Sequence, residues 1–188
     1  MRNACGHAWR LALCVAASFA PQSPAAAEVL QASRERFVVH EHAVVKAGHD
    51  FVWATLVQPA RWWNKDHTWS GDATNLVLAA RGGGCFCETL PGGGSAQHMT
   101  VLQAVPGSLL RMKGALGPLQ AEALDGVLTI EVKAGDGATL IDWTYVVGGY
   151  SRFPLQDIAP RVDTVMAEQS NRLAALLENG DPDRLSRP

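Results

Sequence analysis

The sequence has no excess of basic charge. Its 188 residues carry a formal net charge of −2, so nothing sets up the positive field that draws a protein to nucleic acid. Charge of either sign is scarce. Asp, Glu, Lys and Arg make up 18% of the chain, below the quarter usual for a globular domain, which excludes a charge-solvated disordered chain. Past the N-terminus no apolar run is long enough for a bilayer-spanning helix. Nucleotide signatures are missing. Arg81-Gly82-Gly83-Gly84 is not followed by Lys-Ser/Thr, makes no G-x-G-x-x-G, and leads into a strand pattern, so it reads as a hairpin turn. Ser70, in Trp69-Ser70-Gly71, lacks the elbow of an activated serine. No short His spacing supports a metal. His40 and His42 share one strand face, but two ligands are not a site. No nucleotide, metal or other cofactor is therefore expected.

Cysteine is also scarce, and half of it lies in a segment that reads as an export signal. Arg2 and Arg10 form a basic region, Leu11 to Ala20 a short apolar core, and Ala25-Ala26-Ala27 a small-residue cleavage site. We expect residues 1–27 to be removed and the mature chain to start near Glu28, in the periplasm or outside the cell. Leu13 before Cys14 does not suit a lipid anchor. Losing Arg2 and Arg10 takes the formal charge to −4. Of the four cysteines only Cys85 and Cys87 then remain. Two apart on a strand, their alpha carbons would stand roughly 6.5–7 Å apart, at the limit of disulfide geometry. We expect two thiols packed as small apolar groups, with a strained bridge as the alternative in an oxidising compartment.

The remaining chain is long enough to bury a core as one domain, which we place at residues 28–180, with a polar, disordered tail at 181–188. Arg36 to Lys46 is β-branched and reads as the first strand. A short helix follows from about His49 to Val57. Strand patterns recur at Asn75–Ala80, Cys85–Leu90, His98–Val105, Leu109–Gly114, Val127–Lys133 and Thr139–Val147, separated by Gly- and Pro-rich turns. Leu128, Ile130 and Val132 share one face, as do Ile141, Trp143, Tyr145 and Val147. The last segment is the clearest helix. Pro160 suits its first turn and Gly180 its end, and Val162, Val165, Met166, Leu173, Leu176 and Leu177 form its apolar stripe. Gln169 falls on that stripe, which fits a solvated cavity beneath or simply the edge of the stripe. The fold class is α+β: a curved antiparallel sheet of about six to seven strands around a long C-terminal helix, with volume left between them.

This order of elements resembles the helix-grip fold of the START/Bet v 1-like superfamily. Within it the chain resembles the branch named after the activator of Hsp90 ATPase, which includes polyketide cyclase-like proteins. The residues that carry the resemblance are Val52-Trp53, Trp62-Trp63, Gly83-Gly84-Cys85-Phe86-Cys87-Glu88, Val105-Pro106-Gly107, and Val162-Asp163 through Arg172-Leu173. It covers Phe37 to Leu177. Its motifs are structural and bear on fold more than on activity. It implies a deep apolar cavity between sheet and closing helix, able to hold a lipid, sterol, polyketide, aromatic or other hydrophobic molecule.

The densest candidate stretch is Arg61 to Ser70, with three tryptophans and a histidine in ten residues. Tryptophan is costly both in water and buried without a partner for its N–H, so three together make a wall of core or of cavity. Expected lining residues are Trp62, Trp63, Trp69, Phe86, Met112, Trp143, Tyr145 and Gln169, with His67 as a polar anchor. His67, Glu88, His98 and Asp163 are the titratable candidates. Glu88 shares the face of Phe86; turned inward, it would be a buried carboxyl of raised pKa and a candidate general base. The main expectation is an exported protein that binds a small hydrophobic molecule. The alternatives are a cyclase, dehydratase or hydrolase using Glu88 with His98 or His67, and a protein–protein module of the envelope. Convergence of Glu88 and a histidine inside the cavity would favour the enzyme. On the binding reading, Trp63→Ala should weaken binding more than folding.

Overall fold

A computed structural model describes residues 28–184; the signal expected at 1–27 lies outside them, as do 185–188. Eight strands form one antiparallel sheet. In chain order they are β1 (Glu28–Ala32), β2 (Arg36–Val45), β3 (Leu76–Leu78), β4 (Cys85–Thr89), β5 (Ser95–Val105), β6 (Leu109–Lys113), β7 (Ala123–Gly135) and β8 (Ala138–Tyr150). Helix α1 (His49–Leu56) follows β2, and α2 (Leu155–Asn179) closes the chain. The spatial order is β1-β2-β8-β7-β6-β5-β4-β3. From β3 to β8 the chain is thus a pure meander of hairpins, and its last strand pairs with β2.

Alternation decides which face is buried. Leu128, Ile130 and Val132 of β7 and Ile141, Trp143, Tyr145 and Val147 of β8 all point inward and are almost fully buried. Helix α2 lies across this face, mainly against β2, with Leu155, Ala159, Met166 and Leu173 inward. Burying one such aliphatic side chain contributes about 1.5–3 kcal/mol. Gly180 ends α2 in the left-handed conformation (φ 74°), its N–H donating to the Leu176 carbonyl at 2.9 Å.

The structure departs from the sequence pattern in three places. The segment before Arg36 adds an eighth strand. Glu28–Ala32 has little apolar alternation, and it is the unpaired edge of β2 that orders it, with a register shift between Val29 and Gln31. Helix α2 starts at Leu155, so Pro160 lies inside it. Proline there removes one hydrogen bond, the one its missing N–H would give the Gln156 carbonyl; the fully buried Leu155 and Ala159 hold the additional turn to the sheet. Finally, Cys85 and Cys87 are joined in a disulfide, where free thiols were expected. A shift in register at Phe86/Cys87 in the β4–β5 pairing accompanies alpha carbons 5.4 Å apart, closer than regular strand geometry allows.

Candidate functional site

The Arg61–Ser70 stretch crosses from α1 towards β3 as two single 3-10 turns, Pro59–Arg61 and Lys65–His67. Its own residues shape it. The Asn64 side chain caps the second turn by accepting the Asp66 N–H at 2.9 Å. The Trp62 indole donates to the Thr55 carbonyl and the Trp63 indole to the His67 carbonyl, both at 3.1 Å. Helix α2 holds it from one side. Gln169 accepts the Asn64 backbone N–H at 2.8 Å, Glu168 accepts from His67 Nε2 at 2.9 Å and from the Asn64 amide, and Arg172 Nε donates to the Trp62 carbonyl at 2.8 Å.

Glu88 of β4 holds it from the other side. Glu88 points inward and is 1% exposed. Its Oε2 accepts the Trp69 N–H at 3.0 Å and its Oε1 the Ser70 N–H at 2.5 Å. His98 of β5 adds a third contact, Nε2 to Oε2 at 2.9 Å. Burial pushes the Glu88 carboxyl up, but its hydrogen bonds with Ser70, Trp69 and His98 together outweigh it and hold the group below its ordinary value. Glu88 is therefore ionised at neutral pH, contrary to the raised pKa expected of a buried acid. An ionised carboxylate only accepts, so His98 Nε2 carries the hydrogen. His98 Nδ1 makes no hydrogen bond among the described residues and keeps its lone pair.

His98 is 7% exposed, and the space it borders is a cavity of about 330 Å³. The first half of α2 (Ile158, Val162, Val165, Met166), the Trp63–Trp69 segment and the Leu116–Leu119 segment enclose it, with His98 and Tyr145 also on its wall. Tyr145 keeps its phenol occupied, donating to the Gly114 carbonyl at 3.1 Å and accepting the Leu116 N–H at 3.0 Å. Burial pushes its pKa up, so it stays neutral. Asp66, His67, Thr68 and Arg161 supply polarity, and Trp69, half-exposed, borders the opening.

Of the residues expected to line a cavity, Trp63, His67, Trp69 and Tyr145 border this one. Trp62, Phe86, Met112 and Trp143 lie elsewhere, with Trp63, around a void of about 10 Å³, room for one water at most. They are core. Trp62 meets Trp143 edge-on at 5.8 Å and Trp63 meets Phe86 at 5.4 Å between ring centroids. Gln169 borders neither space; it is fully buried and holds the Asn64 backbone. Of the titratable candidates, Glu88 and His98 converge, His67 pairs separately with Glu168, and Asp163 faces another acid.

That acid is Glu41 of β2, which the sequence reading passed over. It is 1% exposed and neither carboxyl oxygen has a donor; Asp163 Oδ1 of α2 is likewise buried without one. Burial, then the charge of the neighbouring Asp163, push Glu41 up to about 8. Asp163 is raised too, chiefly by burial. One shared proton relieves the pair. The signal was present in the inward row Phe37, Val39, Glu41, Ala43, Val45, where an acid interrupts an apolar face.

Among the described residues no three His, Cys, Asp or Glu side chains cluster as metal ligands, and no helix is long and apolar enough to cross a membrane.

A curved antiparallel sheet that grips a long C-terminal helix, with a cavity between them, is a helix-grip fold. Solved structures share it. The chain is similar to the Aha1 dimer from Colwellia psychrerythraea at 16% identity and a TM-score of 0.55, over 76% of this chain and 97% of that one. It is similar to CalU16 from Micromonospora echinospora at 16% identity and a TM-score of 0.54, over 84% and 86%, and to EF2215, a conserved protein of unknown function from Enterococcus faecalis, at 14% identity and a TM-score of 0.56, over 86% and 82%. These likenesses establish the fold. No protein-family model matches the sequence, and no curated protein does so significantly.

Proposed function

We propose that this protein binds a small, largely apolar molecule between α2, the Trp63–Trp69 segment and the Leu116–Leu119 segment, and that it does so outside the cytoplasm. The observation that carries the binding reading is the cavity itself. At about 330 Å³ it falls at the lower end of the range for small-molecule sites, and it has their make-up, apolar and aromatic walls with a few fixed polar groups. A protein-docking module would need no such interior space. The size favours a compact ligand of one or two rings over a long acyl chain. The basic, apolar and small-residue regions of residues 1–27 support export, and a Cys85–Cys87 bridge suits an oxidising compartment.

Native mass spectrometry of protein purified from its own cell envelope tests the binding, followed by extraction and a screen of hydrophobic compounds by tryptophan fluorescence. A bound or captured apolar molecule, held more weakly by Val162→Trp, which narrows the cavity, is the expected result. Absence of both a co-purifying molecule and any hit in the screen would overturn the reading. N-terminal sequencing of the envelope protein tests export: a start near Glu28 supports it, and an intact Met1 in a cytoplasmic fraction refutes it.

A further inference from the structure

We propose that His98 is a general base that removes a proton from an acidic C–H of the molecule held in the cavity, with Glu88 as its positioning residue. The inference rests on the cavity being a binding site and adds a reaction to it. Three observations carry it. His98 borders the cavity and is otherwise buried. Its Nε2 hydrogen is committed to Glu88 Oε2 at 2.9 Å. Glu88 is fixed in place by the Trp69 and Ser70 backbone N–H groups. These two obligatory donors, one on each oxygen, keep Glu88 an acceptor, which sets the tautomer of the imidazole. The Nδ1 lone pair is what remains, and the protein gives it no partner. When the ring takes a proton, the carboxylate behind it faces the new charge, as in a carboxylate–histidine couple.

Holding a loop would not by itself require the histidine. The Trp69 and Ser70 N–H groups already engage both oxygens of Glu88. The loop is also held independently on the α2 side by Gln169, Glu168 and Arg172. A second carboxylate-backed imidazole, His67 with Glu168, borders the same cavity. It is partly exposed, so it can exchange protons with solvent. The natural substrate class is therefore a compact aromatic or alicyclic carbon acid. The step is redox-neutral and needs no cofactor.

A nitrobenzisoxazole is the probe, since its ring opens by proton removal alone. Nδ1 takes the ring C–H proton, the C–H electrons form the nitrile, the N–O bond breaks onto oxygen, and a coloured cyanophenolate leaves. The imidazolium then returns its proton to water. The full chain should open the probe saturably, at least about a hundredfold faster than an equal concentration of imidazole, in line with general-base catalysis. The rate should rise with pH to a plateau as one imidazole loses its proton. His98→Gln keeps an N–H for Glu88 but has no basic nitrogen, and should lose the reaction while probe affinity, read by tryptophan quenching, stays within about threefold. Glu88→Gln should lower the turnover rate rather than the affinity. Binding of the probe with a rate no better than imidazole, or one that tracks hydroxide without a plateau, overturns the base and leaves the binding reading standing. Absence of probe binding overturns the assignment of compact aromatic carbon acids as substrates, while the binding reading stands or falls on the native mass spectrometry and the screen. If His98→Gln fails to fold, the pH profile of His67→Gln decides: a plateau kept there leaves His98 as the imidazole responsible, and its loss overturns the assignment.

Discussion

Glu41 gives the most quantitative handle on this protein. Its carboxyl sits between β2 and α2 with no donor on either oxygen, and it titrates at about 8 in the fold against 4.5 in an unfolded chain. Between those two values the folded state holds one proton more than the unfolded state. Stability from this group must then fall as pH rises, by about 1.4 kcal/mol per pH unit, and level off above the folded value. This is opposite in sign to Glu88, Glu122 and Asp72, whose lowered values give stability that is lost only on acidification. Taken from pH 4.5 to 8, the cost is about 5 kcal/mol as an upper figure, and at pH 7 roughly 3 kcal/mol. That is a large share of the 5–15 kcal/mol typical of a domain. Glu41→Gln removes the titration but keeps an N–H to give Asp163. Urea unfolding of both proteins at intervals from pH 5 to 8.5 is the assay. The curves should meet near pH 5 and diverge upward, with the glutamine protein about 3 kcal/mol more stable at pH 7. Because Asp163 is coupled to Glu41, the break in the wild-type curve belongs to the pair. Parallel curves, or a glutamine protein that is less stable at pH 7, would refute a shared buried proton.

Four other outcomes follow from the packing. Trp69→Ala removes a half-exposed ring at the cavity opening and should weaken an apolar ligand severalfold in a fluorescence titration, with under about 1 kcal/mol change in stability. Trp63→Ala, by contrast, empties a site packed against Trp62 and Phe86 and should cost about 3–5 kcal/mol, so its binding defect cannot be read apart from folding. The double change Cys85→Ser, Cys87→Ser opens a very short loop, whose closure restricts the unfolded chain little; urea curves with and without reductant should differ from it by no more than about 2 kcal/mol. Gly126→Ala would place a methyl group 2.4 Å from the Gly114 carbonyl and 2.6 Å from the Tyr145 hydroxyl; it should cost at least about 1–3 kcal/mol and disturb the Leu116 side of the cavity, visible as a lowered melting temperature together with weaker ligand binding.

How far the sequence could be read depended on whether a residue's neighbours were local. The meander and the closing helix were legible because alternation along β7 and β8 and the stripe on α2 each report one buried face. Those periods place Trp143 and Tyr145 on the same row of β8 and do not separate them. Yet Trp143 is core and Tyr145 borders the cavity, because the cavity lies under Leu116–Leu119, a stretch in which Gly117-Pro118 interrupts any period. The Cys85–Cys87 bridge stood second to free thiols for a related reason: regular pleating keeps such alpha carbons apart, and a register shift like the one beside Phe86/Cys87 has no periodic signature. The acids show most clearly what periodicity can and cannot carry. Glu41 and Glu88 both interrupt an inward apolar row, a signal visible in the sequence for each. Their opposite titration comes from what lies across from them. Glu88 meets two backbone N–H groups at the end of a loop 18 residues upstream and an imidazole on the next strand, and ionises; Glu41 finds no donor, faces another acid on α2 more than a hundred residues away, and keeps its proton. The two inward acids of this sheet thus differ in kind: Glu88 is a charge that holds an imidazole, and Glu41 a carboxyl that burial keeps protonated. The donors available on the facing element decide which.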